Sequence, residues 1–530
     1  MKPGKRAGTG MRIRNSLYNI FFGLLGQAIS TIMGFVVRTV FIWTLGVEYL
    51  GVSGLFSDVL MLLSLANLGF ETAIIYSLYQ PLADRDEARI KAFMHLFRKA
   101  YLFIGMLVLV LGLSLIPFLD VFIQGETTVS HIEVIYVLFL LNSVSTYFFA
   151  YKQAIIVADQ QQHVISRIHS VYVIAMNTIQ IIVLLCSKNY ILFLVIQIGM
   201  SVLRNKYISR VADRKYEFLR EPVSTPLDKG EKKTFFQNLR SLLMYKVSGV
   251  VINGTDNLII ANLFGVIWVG LYSNYYLILT TLTTFVSYFF YSLTASVGNL
   301  NATEDKEKKF FFYRVLRLAN FWVFGLSAVC LWNLLDPVII LWLGGSFVLG
   351  KETLLAILLN FYTTGMQNAS TMFRDTTGMF RRGRYSPLIA AAMNIGLSIT
   401  LARFIGMPGV FLGTVISRLL TYFWVDPYLL HKHVFLQPLR PYFTRYALHA
   451  VLVLLAASLC GWLAGLLTLP LLWDIAVRVL LCLSVTNLIF YVCFRKSSEF
   501  IYLTNIAKAN MGKLPILTKF NPVIRREETR

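Results

Sequence analysis

Apolar residues run through this chain in stretches about 20 to 30 long, from Asn15 to Phe494, broken by short polar connections. Stretches of that length cross a hydrocarbon core as helices and are far too long for the strands of a barrel. Fourteen spans are predicted, at 15–45, 52–78, 98–123, 130–151, 164–185, 189–207, 240–264, 267–297, 312–342, 352–373, 385–404, 408–430, 442–467 and 472–494. The pattern therefore predicts an all-α polytopic membrane protein. Basic residues (Lys2, Lys5, Arg6, Arg12, Arg14) precede the first stretch as they would in a signal peptide. That stretch is too long, and lacks a small-residue cleavage site, so it reads as an uncleaved first helix.

Composition agrees with the pattern. Of 530 residues 56% are hydrophobic and 14% charged, with mean hydropathy +0.64, whereas soluble domains carry about 25% charged residues. The net charge of +22 raises the question of nucleic acid, and the placement of the cations answers it. With the N-terminus inside, the inner connections hold Arg85, Arg89, Lys91, Arg98 and Lys99, then Lys152 and Arg167, then ten Lys/Arg between Arg204 and Arg240. The set continues through Lys306, Lys308, Lys309, Arg314, Arg317, Arg374, Arg381, Arg382, Arg384, Lys432, Arg440 and Arg445 to the basic C-terminal tail. The outer connections offer only Lys188, Lys351 and Arg403. This positive-inside asymmetry accounts for the charge without nucleic acid, and puts both termini in the cytoplasm.

A second pattern lies over the first. "LGVEYLGV" at 45 and "FGVIWVGL" at 264 set Gly46 and Gly51 on Gly265 and Gly270, displaced by 219. "IPFLDVFIQG" at 116 aligns with "DPVIILWLGG" at 336, setting Pro117 on Pro337 and Gly125 on Gly345; Asn142 falls on Asn360 and Asn177 on Asn394. Six matches in order imply a duplicated unit of six spans, and an even number of spans gives both copies the same orientation. The predicted organisation is a basic tail (1–14), an N-lobe (15–210), a polar linker (211–239), a C-lobe (240–432), two added helices (433–496) and a second basic tail (497–530), in which "KSSEFIYLTNIAKANMGKL" suits the inner leaflet. Two equal lobes with a cleft describe a carrier that binds substrate at the lobe interface.

Within the spans the ionisable residues are Arg38, Asp58, Glu71, Lys246, Asp256 and Arg418. An arginine at a helix centre costs roughly 2.5–3.5 kcal/mol, so these side chains are expected to face protein or water. Arg38 stands eight residues before Gly46, about 12 Å along a helix, which snorkelling only partly covers. Arg38, Asp58 and Asp256 fall in the outer half of the membrane, Glu71 and Lys246 in the inner half, and the repeat superposes Arg38 on Asn257. Two readings stand side by side. Arg38 ties helices together through Asp58 or Asp256, or Arg38, Lys246 and Arg418 line an anion cavity suited to phosphate oxygens. Asp58, Glu71 and Asp256 then gate that cavity or carry a coupling cation, Na+ or H+. The eighth span, rich in tyrosine, serine and threonine, offers groups for sugars as well as for packing.

Catalytic constellations are missing: no glycine-rich phosphate loop, no nucleophile motif, and outer connections too short for an enzyme's acid, base or metal ligands. No enzyme and no cofactor are expected. The five cysteines show no CxxC spacing and imply neither a disulfide framework nor zinc. His431 and His433 look metal-like but read as solvated loop residues. The sequons at Asn253, Asn301 and Asn368 lie in spans or at cytoplasmic ends and are chance matches.

Three stretches, "RTVFIWTLGVEYLGVSGLFSDVLMLLSLANLGFETAIIYSLYQPLADRD" at 38, "DNLIIANLFGVIWVGLYSNYY" at 256 and "GRYSPLIAAAMNIGLSITLARFIGMPGVFLGTVISRLL" at 383, resemble the Wzx-type polysaccharide transporters. The larger group of that family also holds the MATE drug exporters and the lipid II flippases. The resemblance covers most of residues 11 to 432, and two added C-terminal spans suit it. It implies a flippase of the bacterial cytoplasmic membrane that moves an undecaprenyl-diphosphate-linked oligosaccharide from the inner to the outer leaflet for capsule or exopolysaccharide assembly. Arg38 matches the arginine opening the family's first-helix motif, and Asp256 the acidic residue opening its seventh-helix motif. Lys246 and Arg418 rest on charge alone. A cation-coupled exporter of small molecules and a lipid II-type flippase are the alternatives within the group.

Overall fold

In the computed structural model the described residues are 4–511, apart from 65–69, 124–126, 222–226, 229, 231–232, 234, 236–248, 253, 380–381 and 384. They are helical, with no strand among them. The first repeat holds α1 (Gly4–Leu45), α2 (Val47–Leu63), α3 (Phe70–Asp84), α4 (Glu87–Ser114), α5 (Ile132–Ala158), α6 (Gln162–Ser187) and α7 (Tyr190–Lys215). The second holds α8 (Asp256–Phe264), α9 (Val266–Thr303), α10 (Lys306–Leu343), α11 (Lys351–Gly365), α12 (Asn368–Thr376), α13 (Ser386–Ile405), α14 (Met407–Leu420) and α15 (Tyr422–Leu430). Then come α16 (Arg440–Gly465), α17 (Leu471–Phe494) and α18 (Ser498–Met511).

Local chemistry sets these boundaries. Gly46, Gly265 and Gly344 take φ of 94°, 94° and 104°, a region closed to most side chains, and stop α1, α8 and α10. Asp86, Asn189 and Asp305 open α4, α7 and α10 by accepting the amides of Arg89, Leu192 and Lys308 at 3.0, 3.0 and 2.8 Å.

Among the described residues nine helices are long and apolar enough to cross a bilayer, and a tenth is a pair, Ile132–Phe148 and Tyr151–Ala158, bent by 49°. Several predicted spans are broken helices. The span at 352–373 divides into α11 and α12 at Met366 and Gln367, and the span at 408–430 divides at Thr421, whose φ and ψ of −125° and −89° leave the helical region. The termini also differ from expectation: α1 already begins at Gly4, within the basic tail, and α7 runs to Lys215, into the linker.

The chain forms two compact units, Met1–Leu277 with Ser398–Val410, and Ile278–Leu397 with Phe411–Arg530. In unit 1 the long partners are α1 with α6 and α5 with α7. The core of unit 2 is an apolar cluster of α10, α16 and α17 that includes Phe321, Val329, Cys460, Cys482 and Phe490. The tail helix α18 docks on this unit through aromatic residues, Phe500 stacking on Trp322 at 5.4 Å and Tyr502 meeting Phe311 edge-on at 5.4 Å. The two C-terminal helices therefore share the hydrophobic core of their unit.

Candidate functional site

The duplication has a structural signature within unit 1. A Cβ added at Gly51 would lie 1.8 Å from the carbonyl oxygen of Val266, and one at Gly270 would lie 2.2 Å from that of Val47. Val47 corresponds to Val266 and Gly51 to Gly270 under the same displacement of 219, so the contact is reciprocal, as across a two-fold axis. Only glycine lets the two backbones approach this closely.

Arg38 sits just below this contact. It is eight residues before Gly46 on α1, and Ser273 is eight residues after Gly265 on α9, so both reach the same depth, about 12 Å from their glycine turn. Arg38 Nη1 donates to Ser273 Oγ at 3.0 Å and Asn274 Oδ1 at 3.4 Å. Those acceptors are themselves anchored, Ser273 Oγ and Asn274 Nδ2 both donating to the carbonyl of Gly270, at 2.7 and 3.2 Å. The glycine contact thus positions the groups that hold the arginine. Arg38 does tie helices, but through neutral partners: the sequence offered Asp58 or Asp256, and neither forms an ion pair with it. One guanidinium nitrogen makes both bonds, and the rest of the donor fork meets no acceptor among the described residues.

The acidic residues gather on the other side of the pseudo-symmetry. Asn257, the counterpart of Arg38, donates from its side chain to Asp58 on α2. Asp256 is buried at the first turn of α8, where the helix dipole favours a negative charge. It lies within electrostatic reach of Asp58, and both act on the hydroxyls of Tyr272 and Tyr276 on α9. Unit 1 therefore sets Arg38 against Ser273 and Asn274, and Asp58 and Asp256 near Tyr272 and Tyr276, along one stretch of α9, with no charge interaction between the arginine and either carboxylate. Sequence reasoning missed Ser273 and Asn274 as partners; the polar run "YSNYY" at the depth of Arg38 was their signal.

The remaining candidates lie elsewhere. Arg418 is buried in unit 2, on α14, and donates to the Thr364 hydroxyl of α11. Glu71 lies on α3, its side chain outside what is described, and Lys246 lies outside the described residues. His431 departs from the solvated reading: it is buried, its Nδ1 2.9 Å from the Pro427 carbonyl, packed edge-on against Tyr313 and Phe435.

The fold so built is also found in solved proteins. A lipid II flippase MurJ in an inward closed conformation superposes with a TM-score of 0.62 at 17% identity, over 90% of this chain and 99% of that one. A mutant form of the Vibrio cholerae MATE transporter VcmN gives 0.57 at 14% identity over 82% and 99%. An inward-facing multidrug resistance MATE family transporter of the MOP superfamily gives 0.56 at 13% over 76% and 94%. The chain has their fold. All three are transport proteins, none an enzyme. No protein-family model and no curated protein matches the sequence.

Proposed function

We propose that the protein is an alternating-access flippase that carries a polyprenyl-diphosphate-linked oligosaccharide from the inner to the outer leaflet of a bacterial cytoplasmic membrane, with both termini in the cytoplasm. The observation that carries the reading is Arg38. A guanidinium held about 12 Å below an outer turn, by neutral acceptors on one nitrogen only, keeps its charge and most of its donors for an incoming anion. A lipid-borne diphosphate is one such anion, and its oxygens match the planar donor fork. The tyrosine-rich face of α9 beside it suits the sugar. Arg418 and Lys246 are the further candidate cations. The reciprocal glycine contact serves as the outer closure, which opens for release.

The pair of Asp58 and Asp256 supports a second role, a site for the coupling cation, and by itself would serve a cation-coupled exporter of small molecules. Arg38→Ala separates the two. The flippase reading expects reconstituted transport of a sugar-labelled polyprenyl diphosphate to fall to the protein-free level, while Arg38→Lys retains part of it. The exporter reading expects cation-driven dye efflux that survives Arg38→Ala and is lost in Asp58→Asn. Full lipid-sugar transport by Arg38→Ala overturns the anion role.

A further inference from the structure

Unit 2 holds a second, separate concentration of positive charge. A cavity of about 160 Å³ opens among α10, α16, α17 and the start of α18, lined by Arg314, Arg317, Arg445, His449, Ser497 and Glu499 with apolar side chains between them. That is about ten times the roughly 15 Å³ one water needs.

The charges in it do not balance. Glu499 is buried and takes two arginines, Arg314 Nε at 3.3 Å and Arg445 Nη1 at 3.1 Å. Arg317 is only 8% exposed and has no carboxylate among its partners. Its guanidinium lies 4.1 Å above the Tyr442 ring and 5.7 Å from that of Tyr313, and donates to the Tyr442 carbonyl at 3.4 Å. Rings and a carbonyl hold a cation without neutralising it. His449, 4% exposed, stacks on Phe321 at 3.9 Å and leaves its Nδ1 without a hydrogen-bond partner. Three arginines against one glutamate, beside a histidine with an unpaired ring nitrogen, give the pocket lining a formal net charge of +2, of which Arg317 is the buried part while Arg314 and Arg445 are partly exposed. Uncompensated charge of that kind is costly. The start of α18 at the pocket, with Ser497 Oγ accepting the Phe500 amide at 3.2 Å, adds the positive end of a helix.

The position of the pocket narrows its ligand. Arg317 is eleven residues from Lys306, which opens α10, and Arg445 five residues from Arg440, which opens α16. Both lie within the first two turns of the predicted spans 312–342 and 442–467, at the end that the distribution of basic residues assigns to the cytoplasmic side, just beneath the headgroups. Basic pockets between membrane helices at that level suit phosphate-bearing headgroups.

We propose that this pocket binds a phosphate group, presented by an anionic phospholipid of the inner leaflet or by free phosphate, with Arg317 and His449 as its direct donors and Arg445 at its edge. The proposal is independent of the flippase reading and of Arg38.

The test is thermal unfolding of the full-length protein in nanodiscs of phosphatidylcholine. Inorganic phosphate is titrated against chloride at equal ionic strength, and in a parallel series part of the phosphatidylcholine is replaced by phosphatidylglycerol. Stabilisation by phosphatidylglycerol alone identifies a headgroup site, and stabilisation by inorganic phosphate identifies a soluble oxyanion site; either sustains the proposal. His449→Phe keeps the ring stacked on Phe321, and Arg445→Ala removes a half-exposed side chain, so both are expected to fold. Each should weaken the apparent affinity about tenfold, the scale of one charge-assisted hydrogen bond. Arg317→Gln should abolish the effect. The proposal is overturned if neither phosphate source stabilises the protein beyond chloride, or if wild type, His449→Phe and Arg445→Ala respond alike.

Discussion

Replacing Gly51 by alanine is the most direct probe of how the two repeats meet. The added Cβ would stand 1.8 Å from Val266 O and 2.7 Å from Val266 C, both backbone atoms that have no rotamer in which to retreat. Raising 1.8 Å to the 3.0 Å that Cβ contacts respect means opening α2 from α9 by at least about 1.2 Å. At Gly270 the corresponding opening is about 0.8 Å, from 2.2 Å against Val47 O. Overpacking of this kind costs about 1–3 kcal/mol, and each substitution is expected to lower the Tm in detergent by several degrees, followed through tryptophan fluorescence. Gly34 is the control: nothing lies within 4 Å of its Cβ position, and alanine in a helix interior is favoured over glycine by up to about 1 kcal/mol. Because both glycines serve one contact, the double variant should lose less than the sum of the singles. The reasoning is refuted if Gly51→Ala and Gly270→Ala unfold at the wild-type temperature, or if their effects simply add.

Other consequences follow from particular side chains. Asp58→Asn, which keeps the size of the group and removes its charge, should leave labelled lipid crossing the bilayer but uncouple it from a Na+ or proton gradient; coupling preserved in this variant excludes Asp58 as the cation site. Arg374 and Asp426 form a buried ion pair at 2.8 Å in unit 2. Asp426→Ala strands that arginine and is expected to cost about 3–5 kcal/mol, towards the lower bound because exposed Asp375 also pairs with it at 2.9 Å; Tm measurement checks this. Burial opposes the charge of Glu499, yet its own backbone amide, Arg314 and Arg445 hold the carboxyl below its ordinary 4.5. A lowered folded value means that its contribution to stability is complete above about pH 4.5 and is lost as pH falls through the folded value. Wild-type Tm should therefore drop on acidification below that range, and Glu499→Gln should flatten that part of the profile.

The helical class and the duplication were legible because both are written in periodic features, apolar length and the spacing of glycines. Gly46 and Gly265 share a φ of 94°, so the sequence match reports a real requirement of the backbone. Helix breaks such as Thr421 were not legible, since hydropathy is blind to a local change of φ and ψ. At the candidate site the costly charges Arg38, Asp58 and Asp256 could be singled out in the sequence, because burial expense is a property of single residues. Their partners depend on packing: a serine and an asparagine 235 and 236 residues away hold Arg38. The inner cations hid the most. Counted as a topology signal, Arg317 and Arg374 were simply two more basic residues of the inner side, whereas both are buried. Cys330, Cys460 and Cys482, which show no motif spacing, lie on α10, α16 and α17 where these pack, the thiols of Cys460 and Cys482 donating to the carbonyls of Leu481 at 3.6 Å and Val329 at 4.0 Å.

The central claim is that a lipid-linked anion crosses the membrane by way of Arg38. The measurement is reconstitution of the purified protein into liposomes holding a polyprenyl-diphosphate oligosaccharide labelled on its sugar, with counting of the label that reaches the opposite leaflet, for wild type and Arg38→Ala. The account predicts protein-dependent crossing that Arg38→Ala abolishes while the variant inserts and unfolds as wild type does. Crossing that is equal in the two proteins, or absent from wild type across several sugars, contradicts it.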